Sequence, residues 1–159
     1  MWKSFRSKII TARQLSLREW LTLVEAWWTL FGFYLALRWL SYDRLKTLIR
    51  LNSAEKADPV RVLAIAQRLH KLVYLASRLH LLSMSCLPRA FTLRWMLGRR
   101  GIPAQVRIGM NKTSTGIHAH AWVDIEGETI GESEDVTERF KILGLMERKR
   151  PGSINEYPL

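Results

Sequence analysis

The sequence predicts an α+β fold, with a helical N-terminal region packed on a small core that contains an antiparallel sheet. A change of rhythm along the chain predicts it. Apolar residues recur every three or four positions through the first half, as on one face of a helix, and alternate with polar ones after Gly101, as on a strand. Polar breaks at residues 110–116 and at Glu126–Gly127 separate the alternating segments at hairpin distances. A chain of 159 residues is the size of one domain and long enough to bury a core. With 48% hydrophobic and 25% charged residues it is not a disordered chain. The organisation expected is a helical, aromatic-rich region at 1–52, a core at 53–144 and a basic tail at 145–159.

The first helix is predicted over Leu17–Trp39. Ser16 followed by Glu19 three residues later fits a capping box, in which each side chain satisfies a free backbone N–H of the first turn. Trp20, Trp27, Trp28, Phe31, Phe33, Tyr34 and Trp39 fall around most of its circumference and need a cover: the rest of the domain, a partner or a membrane surface. Gly32 is its weak point, costing about 1 kcal/mol relative to alanine. The apolar run at 26–37, bracketed by Glu25 and Arg38, falls short of the roughly 18 uncharged residues that argue for a membrane span. A short helix over Ser41–Leu51 and a polar break at 52–58 follow.

Asp58–Pro59 reads as N-cap and first helical residue, because proline lacks an N–H that would go unused there. Val62, Ile65, Ala66, Leu69, Val73 and Ala76 then mark an amphipathic helix to about His80. His70 and His80 read as surface or boundary residues. A third helix opens at Ser85, with Pro88 in its first turn and Gly98 or Gly101 as its stop. "IPAQVRIGM" and "HAHAWVDI" alternate like strands, and "ETIGE" is a shorter third candidate. The ending "ERKRPGSINEYPL" reads as a frayed or docking tail.

The net charge of +11 favours acidic partners, among them nucleic acid, an anionic membrane surface or an acidic peptide or protein. Cys86 is the single cysteine, so no intramolecular disulfide forms and nothing suggests an oxidising compartment. The basic N-terminus lacks the apolar stretch and small-residue cleavage site of a signal peptide. A cytoplasmic protein is expected.

Cys86 falls at the first position of a helix, where unpaired N–H groups and the helix dipole favour an anion and hence a thiolate. Arg89 adds positive charge one turn on. The strand "GIHAHAWVD" puts His118, His120, Trp122 and Asp124 on one face. An imidazole beside a thiolate serves as general base and later protonates a leaving amine, and a third group, normally a carboxylate, orients the ring. Asp124 lies roughly 13 Å along the strand from His120, which makes it a poor orienter. Glu132, on the next strand, can return alongside. Strand parity decides between arrangements: a triad with Glu132 predicts an odd-length loop or a bulge here, whereas a plain two-residue turn at Glu126–Gly127 faces Glu132 away from His120 and would remove it as third member.

The segment "SCLPRAFTLRWMLGRRGIPAQVRIGM…HAHAWVDIEGETIGE" resembles the transglutaminase-like cysteine peptidases that mature lasso peptides. The likeness runs from Ser85 to Glu132, and the helical, aromatic-rich N-terminal third is similar to that family as well. The resemblance implies a transglutaminase-like (papain-like) core whose Cys–His–acid triad cleaves the leader from a ribosomal precursor peptide. A partner cyclase then closes the macrolactam ring. Carried over by position, Cys86 is the nucleophile, His120 the base and Glu132 the orienting acid. Glu132 is a departure, since the family often has Asp there. Nothing in residues 1–52 resembles the winged-helix leader-recognition module of some members, so the chain is similar to the split form, which relies on a separate leader-binding protein. The basic, aromatic N-terminal region would dock that partner, the cyclase or the leader.

His118 and Arg89 are candidate substrate-groove residues, with plain packing of His118 the competing reading. Arg94, Arg99 and Arg100 read as a solvated face, which is the competing reading of Arg89 as well, and Trp122 reads as core. A zinc site from Cys86, His118 and His120 is chemically conceivable, but the cysteine lacks a neighbouring ligand at motif spacing, so no metal or other cofactor is expected. The alternatives from other classes are a basic nucleic-acid-binding protein, for which no recognition motif is present, and a non-catalytic interaction protein. Peripheral membrane contact by the Trp-rich helix is compatible with each.

Overall fold

The computed structural model describes residues 16–39, 58–113, 116–132 and 135–142. The helix predicted over 41–51 and the C-terminal tail lie outside the described residues. In chain order the elements are α1 (Leu17–Trp39), α2 (Pro59–Leu79), α3 (Cys86–Gly98), β1 (Gln105–Thr113), β2 (Gly116–Ile125), β3 (Glu128–Ile130), α4 (Val136–Arg139) and β4 (Lys141–Ile142).

Local chemistry sets the helix starts. At α1 the capping box forms: the Ser16 N–H donates to Glu19 Oε2 at 2.8 Å and the Glu19 N–H donates to Ser16 Oγ at 3.4 Å. The Ser16 N–H and hydroxyl, both donating to Glu19 Oε2 at 2.8 Å, together with Arg68 of α2 at 2.8 Å, hold the Glu19 carboxyl down at about 2. At α2 the Val60 N–H donates to Asp58 Oδ1 at 3.1 Å, as the Asp–Pro pair predicts. Ser85 precedes α3 in extended conformation, but its side chain makes no capping bond. After Gly98 the chain reverses through Gly101 at φ +73°, and the Ile102 N–H donates back to the Leu97 carbonyl at 3.0 Å.

The three helices and one face of the sheet enclose a common core. Leu23, Ala26 and Leu30 of α1 meet Leu69 and Val73 of α2, and Phe91, Met96 and Leu97 of α3 lie beneath Ala121, Val123 and Ile125 of β2. Glu25 of α1 binds Arg99 at 2.9 Å and Arg100 at 3.0 Å, so these arginines at the end of α3 clamp two helices together; they are not a merely solvated face. Arg94 donates to the Ala104 carbonyl at 3.0 Å, tying α3 to the start of the sheet.

The sheet has the antiparallel order β3-β2-β1-β4. Pairing of β1 with β2 runs from Gln105↔Asp124 to Thr113↔Gly116, so residues 110–113, expected in a polar turn, continue the ladder. Trp122, of opposite parity to the core residues, is buried under Phe140, with ring centroids 6.5 Å apart. Gly109 beneath them has no room for a side chain: a Cβ there would lie 2.7 Å from Phe140 Cβ and 2.9 Å from the Trp122 ring.

Domain packing covers only part of the aromatic content of α1. Phe33 stacks on Phe91 at 5.8 Å, and Trp27 stacks on His80 at 4.4 Å. His80 is thus a boundary residue, as the sequence reading allowed, and its ring packs against α1 in the turn that leads to α3. Trp20, Trp28 and Trp39 remain exposed. By length and composition alone α1 is long and apolar enough to cross a bilayer, a property that core helices share, while its strictly uncharged run at 26–37 stays short of a span.

Candidate active site

Cys86, His120 and Glu132 come together at a cleft between the start of α3, the middle of β2 and the chain leaving β3. The cleft is small and open on one side, with a volume of about 40 Å³, and His70, Tyr74 and Arg89 also line it. Cys86 is half-buried at the first position of α3, where the backbone N–H groups of the opening turn have no intrahelical acceptor. Arg89, one turn further, donates from Nε to the Ser85 carbonyl at 3.2 Å and lays its guanidinium 5.8 Å from the centre of the Tyr74 ring.

His120 is fixed from several sides. Its ring stacks on Trp122 at 6.1 Å and lies 5.3 Å from Phe140, and its Nε2 is 3.1 Å from Glu132 Oε1. Both partners of that pair keep about a quarter of their side-chain surface exposed. The carboxylate therefore meets one ring nitrogen, leaving Nδ1 as the other.

The route by which Glu132 reaches His120 differs from the one strand parity predicts. The β2–β3 turn is a plain two-residue one, Glu126 at φ 53° and Gly127 at φ +98°, the pair of positive values that a type I′ hairpin needs. Its register, Val123↔Ile130 and Ile125↔Glu128, would set Glu132 opposite Ala121 if continued. Parity alone thus removes Glu132 from the site, and the structure overturns that inference. The ladder stops at Ile130, and Gly131 at φ +75° bends the chain so that Glu132 swings across to His120. Glycine is required here twice over, because the left-handed conformation disfavours a side chain and the His70 ring fills the space a Cβ would take.

His70 is the site residue that sequence reasoning missed. It stands four residues after Ala66 and three before Val73, on the inward stripe of α2, and this was the available signal. Burial pushes its pKa below the usual imidazole value, Arg89 and Lys71 push the same way, and Glu132 opposes them. Its ring stacks on Tyr74 at 6.5 Å.

Asp124 has another task. Its Oδ1 accepts the Gly127 N–H at 3.1 Å and so holds the hairpin turn, away from the cleft. His118 is exposed on β2 opposite Asn111 and is not among the residues that line the cleft, whereas Arg89 is. Among the described residues no group of three or more His, Cys, Asp or Glu is disposed to hold a metal ion.

The transglutaminase-like superfamily model matches residues 27–144, from the middle of α1 to just beyond β4. The match spans most of the chain, and the chain belongs to the transglutaminase-like superfamily. That membership suggests, in general terms, a papain-like cysteine peptidase. No curated protein and no solved structure matches the chain significantly.

Proposed function

We propose that the chain is a cysteine peptidase that removes the leader from a ribosomally made lasso-peptide precursor. It works in the cytoplasm with a separate leader-binding protein and a macrolactam-forming cyclase, and needs no cofactor. The observation that carries the chemistry is the Glu132–His120 pair at 3.1 Å on the cleft that Cys86 also lines. The lasso-peptide assignment is supported by the resemblance of Ser85–Glu132 to that group of peptidases.

In this reading Glu132 accepts a hydrogen bond from Nε2–H of a neutral His120, which keeps the Nδ1 lone pair for the thiol proton of Cys86. The Cys86 sulfur attacks the scissile carbonyl carbon, and the imidazolium returns the proton to the departing amine. The amide C–N bond breaks, leaving a thioester on Cys86. Water, deprotonated by His120, hydrolyses the thioester and regenerates the thiol. The freed amine is the N-terminus on which a cyclase would close a ring.

Cleavage of a precursor peptide by the purified chain with its leader-binding partner tests this. Cys86→Ala is expected to abolish cleavage while leaving partner affinity unchanged. Full cleavage by that variant would sink the mechanism. Salt-sensitive binding to duplex nucleic acid in place of cleavage would favour the nucleic-acid reading.

A further inference from the structure

The face of α1 turned away from the core is a continuous apolar stripe. Leu17, Leu21, Val24, Trp28, Leu35 and Trp39 follow one another at steps of four, three, four, seven and four residues, with Gly32 exposed between them. Leu21 is 65% exposed, Trp28 63% and Trp39 84%, and only 17% of the most apolar 18-residue window of the helix is buried. A contiguous apolar surface of this kind marks a place of contact.

Its charge pattern indicates what it contacts. Both acids of α1 are used inward, Glu19 against Arg68 and Glu25 against Arg99 and Arg100. The charged residues left among the exposed positions of α1 are Arg18 and Arg38, one near each end. The preceding residues 1–15 carry Lys3, Arg6, Lys8 and Arg13 and no acid, in a chain of net charge +11. An apolar stripe rich in tryptophan, flanked by basic and free of acidic residues, complements a surface that is greasy below and anionic above. Tryptophan favours that boundary because its ring is amphipathic.

We propose that α1 seats the protein on the surface of an anionic lipid bilayer, lying in the plane of the interface. The helix lies on the membrane and does not span it, since Leu23, Ala26 and Leu30 face the core and Glu25 holds the end of α3. Spanning would expose that core face and break both clamps. The proposal stands apart from the peptidase reading, because it uses no cleft residue.

Co-sedimentation of the full chain with vesicles tests it, using phosphatidylcholine alone and phosphatidylcholine containing phosphatidylglycerol. Binding to the anionic vesicles is expected, weakening with salt, with tryptophan fluorescence quenched by brominated lipid. The double variant Leu21→Glu/Trp28→Glu alters only exposed positions and is expected to lower partition on the order of tenfold or more, with unchanged circular dichroism. A second variant, with Lys3, Arg6, Lys8 and Arg13 replaced by glutamine, should lose the preference for anionic vesicles. No binding to either vesicle, or equal binding to both, overturns the proposal. So does self-association of the wild type that the double variant abolishes without affecting vesicle binding, because the stripe would then be an interface between copies.

Discussion

At the scale of single residues the site depends on one glycine. Gly131 sits at φ +75° with the His70 ring where a Cβ would be, and the bend it makes delivers Glu132 to His120. Gly131→Ala is expected to cost about 1–3 kcal/mol from backbone strain alone, with a further loss from displacing His70. Chemical denaturation measures that cost, and precursor cleavage should fall with it. His70→Ala should restore part of the stability of Gly131→Ala by removing the clash, while the strain of φ +75° persists; strict additivity of the two changes would show that ring and backbone are not coupled. Glu132→Gln keeps the shape of the pair but removes its charge. Its expected signature is a kcat lower by roughly 10²–10⁴-fold with KM little changed, read from steady-state cleavage.

At the scale of elements, α1 is set by its start and by its clamps. Ser16 and Glu19 cap each other's backbone, and Glu19 also reaches Arg68 on α2. Ser16→Ala is therefore expected to destabilise the fold by about 0.5–2 kcal/mol, visible as a lower Tm in thermal melts. Asp124 acts at the same scale, because it holds the I′ turn through the Gly127 N–H. Asp124→Ala should loosen the β2–β3 hairpin and lower stability, and an unchanged Tm would contradict that role. This residue shows the limit of reading distance from sequence alone: an acid on the face of the histidine strand was visible, but its occupation with the turn was not.

For the whole molecule the groups with displaced pKa values set the acid response. Burial lowers His70 and His80 below 6.5, so between their folded values and 6.5 the unfolded chain binds more protons than the folded one. Stability should fall as pH drops through 6.5 and below. Glu19 acts lower: its contribution is present above 4.5 and is lost as pH falls from there towards about 2. Urea unfolding across pH 7.5 to 3 should show both limbs, and replacing His70 and His80 by glutamine should flatten the upper one alone. The shared core gives these groups a common readout, because α1, α2, α3 and the sheet contribute to one cluster of buried residues.

The sequence by itself determined what local chemistry decides. The span of α1 followed from the Ser16–Glu19 box and its apolar run, the start of α2 from Asp58–Pro59, and the helix opening at Cys86 from Ser85 and the apolar face behind it. Alternation located the β1–β2 hairpin and set His120 on it, though not the full length of the ladder. Only the tertiary structure decided which residues line the cleft beside Cys86. Strand parity holds as long as the ladder continues, and a left-handed glycine ends it, so the position of Glu132 depends on backbone angles that residue spacing does not encode. His70 became a wall of the cleft because a helix distant in sequence packs against that same glycine. Which aromatics of α1 were covered depended likewise on where α2 and α3 lay, since one helix can turn only one side to its neighbours.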